Sequence, residues 1–447
     1  MSGRPFLAML FVLTLPLVTP GIRGADEIEY FSYLRSVVFD RDLDFGNEYR
    51  HFHSEDPEGL QGFKGTFLDL REPRTGRHIN FAPLGSALLW SPLYLLAHAG
   101  VLAARALGAE VLADGYSWPY LAAVCYGSAL YGFAGLLLTH GLLRRQGLPE
   151  PGASWSVAAL WLATPVLYYL TLAPAFSHAC ALFLVSLLLW LSFRMRGLGR
   201  LDEWALIGAV GGLAGLVREQ DALFLVVPAL RLAAEARRGR TWGPALTRAA
   251  LMGGLALVTF SPQLVAYRSI NGSFGPSTLV ARKMAYTSPH FLEVLFDPGH
   301  GLLVWSPILV LASLGLLLAL RSREVASLAV ALLLQIWING SVESWSQAGA
   351  FGSRRFVSAT PIFAWGLAVL VGRTVPRLGR PVSAAVLALF VWWNVSLMVQ
   401  FGLRVMDRQG LEWPAVAVNQ VTEVPSRIGR VGWLFFTDRE RLVRESR

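Results

Sequence analysis

The sequence predicts an all-α membrane protein with about eleven transmembrane helices (roughly 10–13) and a large extracytoplasmic first loop carrying membrane-hugging helices. Three observations carry this. Hydrophobic residues fill 54% of 447 positions and charged residues only 15%, against roughly 25% charged in a soluble chain. Mean hydropathy is +0.47. The apolar residues gather in long unbroken runs, and a backbone in hydrocarbon must satisfy its own polar groups, so such runs form helices. The alternating segments of about ten residues that mark an outer-membrane barrel are absent.

In chain order the candidate spans are 5–22, 118–142, 155–172, 178–194, 204–218, 221–234, 245–267, 301–320, 325–341, 357–372 and 382–402. The first has only Arg4 before it and no small-x-small site after it, which reads as a retained helix rather than a cleaved leader. Segments 204–218 and 221–234 are short for a bilayer of about 30 Å and are expected to form a hairpin. The stretch 81–104 contains Pro83, Pro92 and His98; Pro92 removes a helical N–H, so two half-helices lying on the outer leaflet are expected there.

The arginines decide orientation. Arg144 and Arg145, Arg194 with Arg196 and Arg200, Arg237 with Arg238 and Arg240, Arg321 with Arg323, and Arg373 with Arg377 and Arg380 each follow alternate spans. All are cytoplasmic if 81–104 does not cross and the N-terminus is inside. The expectation is a multi-pass protein of the inner (plasma) membrane, its N-terminus cytoplasmic and its site extracytoplasmic. Residues 1–402 then form the transmembrane domain, 23–117 its large outer loop, and 403–447 an outer tail. The net charge of +9 is nearly all arginine, with Lys64 and Lys283 the only lysines; its place at helix ends excludes a nucleic-acid partner. Cys125 and Cys180 fall inside apolar runs and give no disulfide framework.

Candidate chemistry gathers outside. Asp26 and Glu27 open the first loop, where a partly desolvated carboxylate suits a general base; they equally suit the first turn of a helix as capping groups. Tyr30, Leu34, Val37 and Val38 share one face of the stretch that follows, suiting a helix that hugs the membrane. The run Asp40 to Glu48 hints at a calcium loop, but its glycine and glutamate are misplaced, so a surface turn is expected. His51, His53, Glu55 and Asp56 match no closed zinc spacing.

Arg218, Glu219 and Asp221 place formal charges at the hairpin, which suits a water-filled cavity or mutual pairing at a turn. His178 opens a span and is a weaker cavity candidate. In the loop 343–356, Arg354 and Arg355 sit on the side that the other arginines avoid. Guanidinium groups suit bidentate phosphate contact; headgroup anchoring beside Trp345 is the alternative.

These features together resemble the GT-C superfamily of polytopic glycosyltransferases, nearest the protein O-mannosyltransferase and lipid A aminoarabinose transferase branches. The resemblance rests on Asp26-Glu27 with Tyr30, on Asn80-Phe81-Ala82-Pro83-Leu84-Gly85, on Arg218-Glu219, and on Phe351-Gly352-Ser353-Arg354-Arg355-Phe356. It implies an inverting transferase that takes sugar from a polyprenyl-phosphate-linked donor and passes it to a protein, lipid or glycan acceptor at the membrane surface. Asp26 would act as catalytic base beside Glu27, and Arg354 or Arg355, with Arg218, would hold the lipid phosphate. Glu219, His178 and Tyr30 would line the substrate site. No cofactor is expected and no metal ligand set is visible, although some superfamily members use a divalent metal. A transporter or flippase for lipid-linked saccharides would also want intramembrane charges, but usually shows paired halves; a polymerase or ligase would place its main loop later.

Overall fold

The structure, a computed structural model, describes residues 3–287, 289–347, 349–439 and 441–442. Ala348 of the 343–356 loop, and Glu440 and residues 443–447 of the expected tail, lie outside that set. Among the described residues the chain is helical, apart from an isolated antiparallel bridge between Arg71 and His78. The principal helices are α1 (Arg4–Thr14), α2 (Ala25–Arg35), α3 (Gly46–Glu55), α4 (Gly85–Ala106), α5 (Trp118–Arg145), α6 (Gly152–Leu162), α7 (His178–Arg194), α8 (Leu201–Val217), α9 (Val226–Gly239), α10 (Trp242–Asn271), α11 (Ile308–Ala319), α12 (Arg323–Gly340), α13 (Thr360–Leu378), α14 (Arg380–Gly402) and α15 (Glu423–Thr437). Among the described residues, five segments are long and apolar enough to cross a membrane: α4, α5, α10, α14, and α13 with its leading turn from Arg354. The protein is an all-α membrane protein.

Prolines act differently at different sites. The run 301–320 is split because Ser306, before Pro307, is driven to φ −127° and ψ 72°, as the steric clash with a following proline ring requires. The run 155–172 is likewise divided, α6 ending before Thr164-Pro165 and a short helix resuming at Val166–Thr171. The two half-helices expected over 81–104 are not found: α4 runs unbroken through Pro92. Pro92 cannot donate to the Leu88 carbonyl, but the Ser91 hydroxyl does so at 2.8 Å, and the acceptor is satisfied. Only 22% of the apolar window of α4 is buried, and Leu88, Leu95, Leu96 and Leu102 form its exposed apolar surface.

The chain folds as two compact units. One comprises Met1–Leu17, Leu136–Tyr169 and Ala285–Arg447. Its centre is α13, whose window is 78% buried against 22% for α14. Gly366 on α13 lies so near α11 that an added β-carbon would strike the Ala312 carbonyl, and Gly315 meets the Gly366 carbonyl in the same way. Without side chains at the crossing, the backbones pack directly.

The other unit comprises Val18–Gly135 and Leu170–Met284. Here Gly208 and Gly212, one turn apart on α8, abut the Met252 and Ala256 carbonyls of α10, the same small-residue device. Helix α7 is buried along most of its length. Helix α2 is enclosed by protein from Glu27 to Leu34, so the apolar surface in this part of the chain belongs to α4 rather than to α2.

The first-loop acids are engaged with their own neighbours. Asp40 pairs with Arg35 and accepts Asn47 Nδ2 at 2.7 Å. Asp42 accepts the Ser36 hydroxyl at 2.7 Å, and Asp44 lies 2.5 Å from His78 Nδ1. Glu48 is buried against Arg35 at 3.0 Å, and burial pushes its carboxyl up to about 7. His51 stacks on Tyr116 with ring centres 3.9 Å apart. Among the described residues no group of His, Cys, Asp or Glu is placed to hold a metal ion.

Candidate active site

In the second unit the acidic doublet sits on the first turn of α2. Gly24 is the N-cap, and Glu27 Oε2 accepts the backbone N–H groups of Gly24 at 2.8 Å and Arg23 at 2.9 Å. This is the reciprocal arm of a capping box, satisfying donors that a helix start leaves open. Glu27 is buried, and that burial pushes its carboxyl up to about 7 despite the two N–H bonds. Asp26, on the same turn, is half-exposed. Of the doublet, then, Glu27 holds the helix start and Asp26 presents its carboxylate.

Tyr30 lies one turn beyond Asp26, on the same helix face. Its hydroxyl accepts a hydrogen bond from the Ser177 hydroxyl at 3.0 Å, and Arg218 Nη1 donates to that Ser177 oxygen at 3.0 Å. A guanidinium is thereby tethered to the face that carries Asp26. Ser177 also begins α7, so His178 is the first residue of that helix; it is buried, with its ring stacked on Phe176 at 5.8 Å. Phe176 stands against Gly24, where a β-carbon would approach its ring to 3.3 Å.

Arg218 occupies a break in the chain. Helix α8 ends at Val217, Arg218 is extended (φ −149°, ψ 113°), and a 3-10 turn runs from Glu219 to Leu225. The hairpin expected from the sequence does not form as two packed helices: the 3-10 turn folds back on α8, with Leu225 against Gly211 and Ala222 against Gly215, while α8 packs along α10 rather than α9. The break turns two charged side chains out of the helical register. Glu219 is exposed and accepts the Tyr267 hydroxyl.

The Asn80–Gly85 segment is fixed between these parts. Asn80 Nδ2 donates to the Glu29 carbonyl at 3.0 Å, Phe81 N–H donates to the Glu29 carboxylate at 2.5 Å, and Leu84 N–H donates to Gln263 Oε1 at 2.9 Å. Gly85 abuts the Leu216 and Val217 backbone directly before Arg218. The unit therefore brings together Asp26, Glu27, Tyr30, His178, Arg218 and Glu219.

Arg354 and Arg355 belong to the first unit. They are half-buried at the 3-10 turn that leads into α13. Arg355 N–H donates to Gln347 Oε1 at 3.3 Å and its Nη2 to Ser344 Oγ at 3.4 Å. Phe351 N–H donates to the Tyr169 hydroxyl at 3.1 Å, while the Phe351 ring stacks on Tyr168 at 4.6 Å.

Sequence reasoning missed Ser177, Glu29 and Gln263. Gln263 alone carried a signal, a buried amide beside a proline inside an apolar run.

No family model and no curated protein sequence matches the chain. Its backbone does match the crystal structure of ArnT from Cupriavidus metallidurans bound to undecaprenyl phosphate. The TM-score is 0.52 at 17% identity, over 99% of this chain and 72% of that one. The fold is GT-C-like. That likeness spans nearly all of this chain, so both units belong to the GT-C-like fold.

Proposed function

We propose that this chain is a membrane glycosyltransferase, moving a sugar from a polyprenyl-phosphate-linked donor to an acceptor on the extracytoplasmic face. The observation that carries this reading is the shared face of α2, where a half-exposed carboxylate and a tethered guanidinium stand on a GT-C-like scaffold. Asp26 takes the proton of the acceptor hydroxyl as its oxygen attacks the anomeric carbon. The bond from that carbon to the phosphate oxygen breaks, and the lipid phosphate leaves with the electron pair. Attack opposite the leaving group inverts the configuration. Arg218 binds phosphate in the second unit, and Arg354 with Arg355 form a phosphate-binding pair in the first. A preorganised guanidinium contributes about 3 kcal/mol where negative charge develops. Glu27 positions the base, and Tyr30, His178 and Glu219 line the substrate site. The acceptor is a hydroxyl-bearing protein, lipid or glycan.

The test is Asp26→Asn, assayed for sugar transfer from a polyprenyl-phosphate donor and separately for donor binding. Transfer is expected to fall by at least ~100-fold, the usual worth of a general base, with donor affinity retained. Unimpaired transfer would remove Asp26 from the mechanism.

A further inference from the structure

The loop after α14, residues 403–411, is fixed from several sides. Val405 N–H bonds the Gln400 carbonyl at 3.1 Å and Leu411 N–H bonds the Pro298 carbonyl at 2.8 Å. Asn419 Nδ2 donates to the Val405 carbonyl at 3.3 Å. Gly410 packs on Gly299 closely enough that an added β-carbon would stand 3.1 Å from the Gly299 Cα.

This loop carries Arg404 and Arg408. The Arg408 guanidinium lies 4.5 Å above the Phe401 ring and donates through Nη2 to the Phe401 carbonyl at 3.2 Å. Its Nε is buried and has no hydrogen-bond partner among the described residues. Phe401 meets Phe351 edge-on at 5.4 Å and Tyr168 edge-on at 5.8 Å. Phe351 opens the segment that ends in Arg354 and Arg355. His300, 2.7 Å from the Ala350 carbonyl, lies in the field of both Arg354 and Asp407. The 403–411 loop and the 351–356 segment are thus one neighbourhood, built around a small aromatic cluster.

We propose that Arg408 is a further phosphate-binding residue of the Arg354–Arg355 subsite, a role that rests on the glycosyltransferase reading above. A guanidinium held flat on an aromatic ring is oriented before any ligand arrives. A buried Nε without an acceptor calls for one. Arg354, Arg355, Arg404 and Arg408 outnumber the carboxylates Asp297 and Asp407 in this neighbourhood, a net positive charge that an anion balances, and a phosphate matches the planar donor fork of a guanidinium.

The experiment titrates the purified full-length protein with undecaprenyl phosphate and, in parallel, with undecaprenol. The wild type is expected to prefer the phosphate. Arg408→Gln is expected to weaken undecaprenyl phosphate binding about tenfold or more and to leave undecaprenol binding unchanged. Unchanged phosphate affinity in a folded Arg408→Gln protein, with the wild-type preference intact, overturns this inference and leaves the broader reading standing. A wild type without preference overturns the lipid-phosphate reading itself. Should Arg408→Gln fail to fold, Arg408→Lys decides: it keeps the charge and the stem over Phe401 but lacks Nε and the donor fork. It is expected to weaken phosphate-lipid binding about threefold, and unchanged affinity refutes the proposal.

Discussion

Glu27 makes the stability of this protein depend on pH in a direction opposite to that of an ordinary paired carboxylate. Its carboxyl is raised from 4.5 to about 7, so between those values the folded state keeps a proton that the unfolded chain has released. Stability contributed by that proton is complete below about 4.5 and is lost as pH rises through about 7. The span corresponds to roughly 3 kcal/mol at about 1.4 kcal/mol per pH unit. Glu27→Gln isolates this effect. Both backbone N–H groups bond to one oxygen, Oε2, which an amide carbonyl replaces in the capping box. At pH 4.5 the two proteins are expected to melt together. At pH 8 the variant is expected to be more stable by up to about 3 kcal/mol, or roughly 3–6 °C for a chain of this size. Thermal melts of both proteins in one detergent, from pH 4.5 to 8, measure the difference; Glu48 titrates in the same window and cancels between them. A difference that stays constant across the range would show that Glu27 ionises normally, and the account of its burial would fall.

Two further outcomes are expected. Arg354→Ala combined with Arg355→Ala should weaken binding of a polyprenyl-phosphate donor by about 100-fold or more; unchanged affinity would leave the pair as headgroup anchors. Single cysteines at Leu107 and Gln146, read with a membrane-impermeant thiol reagent, test orientation: with α4 on the outer leaflet, 107 labels from outside and 146 only after permeabilisation. The reverse pattern would mean that α4 crosses.

Helix positions were legible where an apolar run is unbroken, because such a run in lipid has one structural outcome. The run 178–194 coincides with α7, His178–Arg194. The expected break at Pro92 was not legible as a continuous helix, because its repair lies in one rotamer of Ser91. Pro307 follows a serine too, yet there the helix stops, so residue identity alone does not separate the two. Arg218 drew notice as a charge among apolar segments. Its link to Tyr30 did not, since Ser177 is one of many serines and only the fold shows where its hydroxyl points. Arg408 lies in the expected outer tail, away from the residues that carry the resemblance, and its setting over Phe401 depends on how the chain turns back after α14.

The division of roles within the doublet follows from helix geometry. At the third helical position a glutamate is long enough to reach back to the N-cap, and Glu27 does so; bound to two N–H groups and buried, it is poorly placed to meet a substrate. The residue before it points about 100° away around the helix axis, where the chain leaves it half-exposed. Four residues on, Tyr30 falls on that same face and carries the Ser177–Arg218 tether. A capping contact that first looked like an alternative to catalysis is therefore what aims the neighbouring carboxylate. A single acid here would have to choose between fixing the helix and facing the substrate; the doublet Asp26-Glu27 does both.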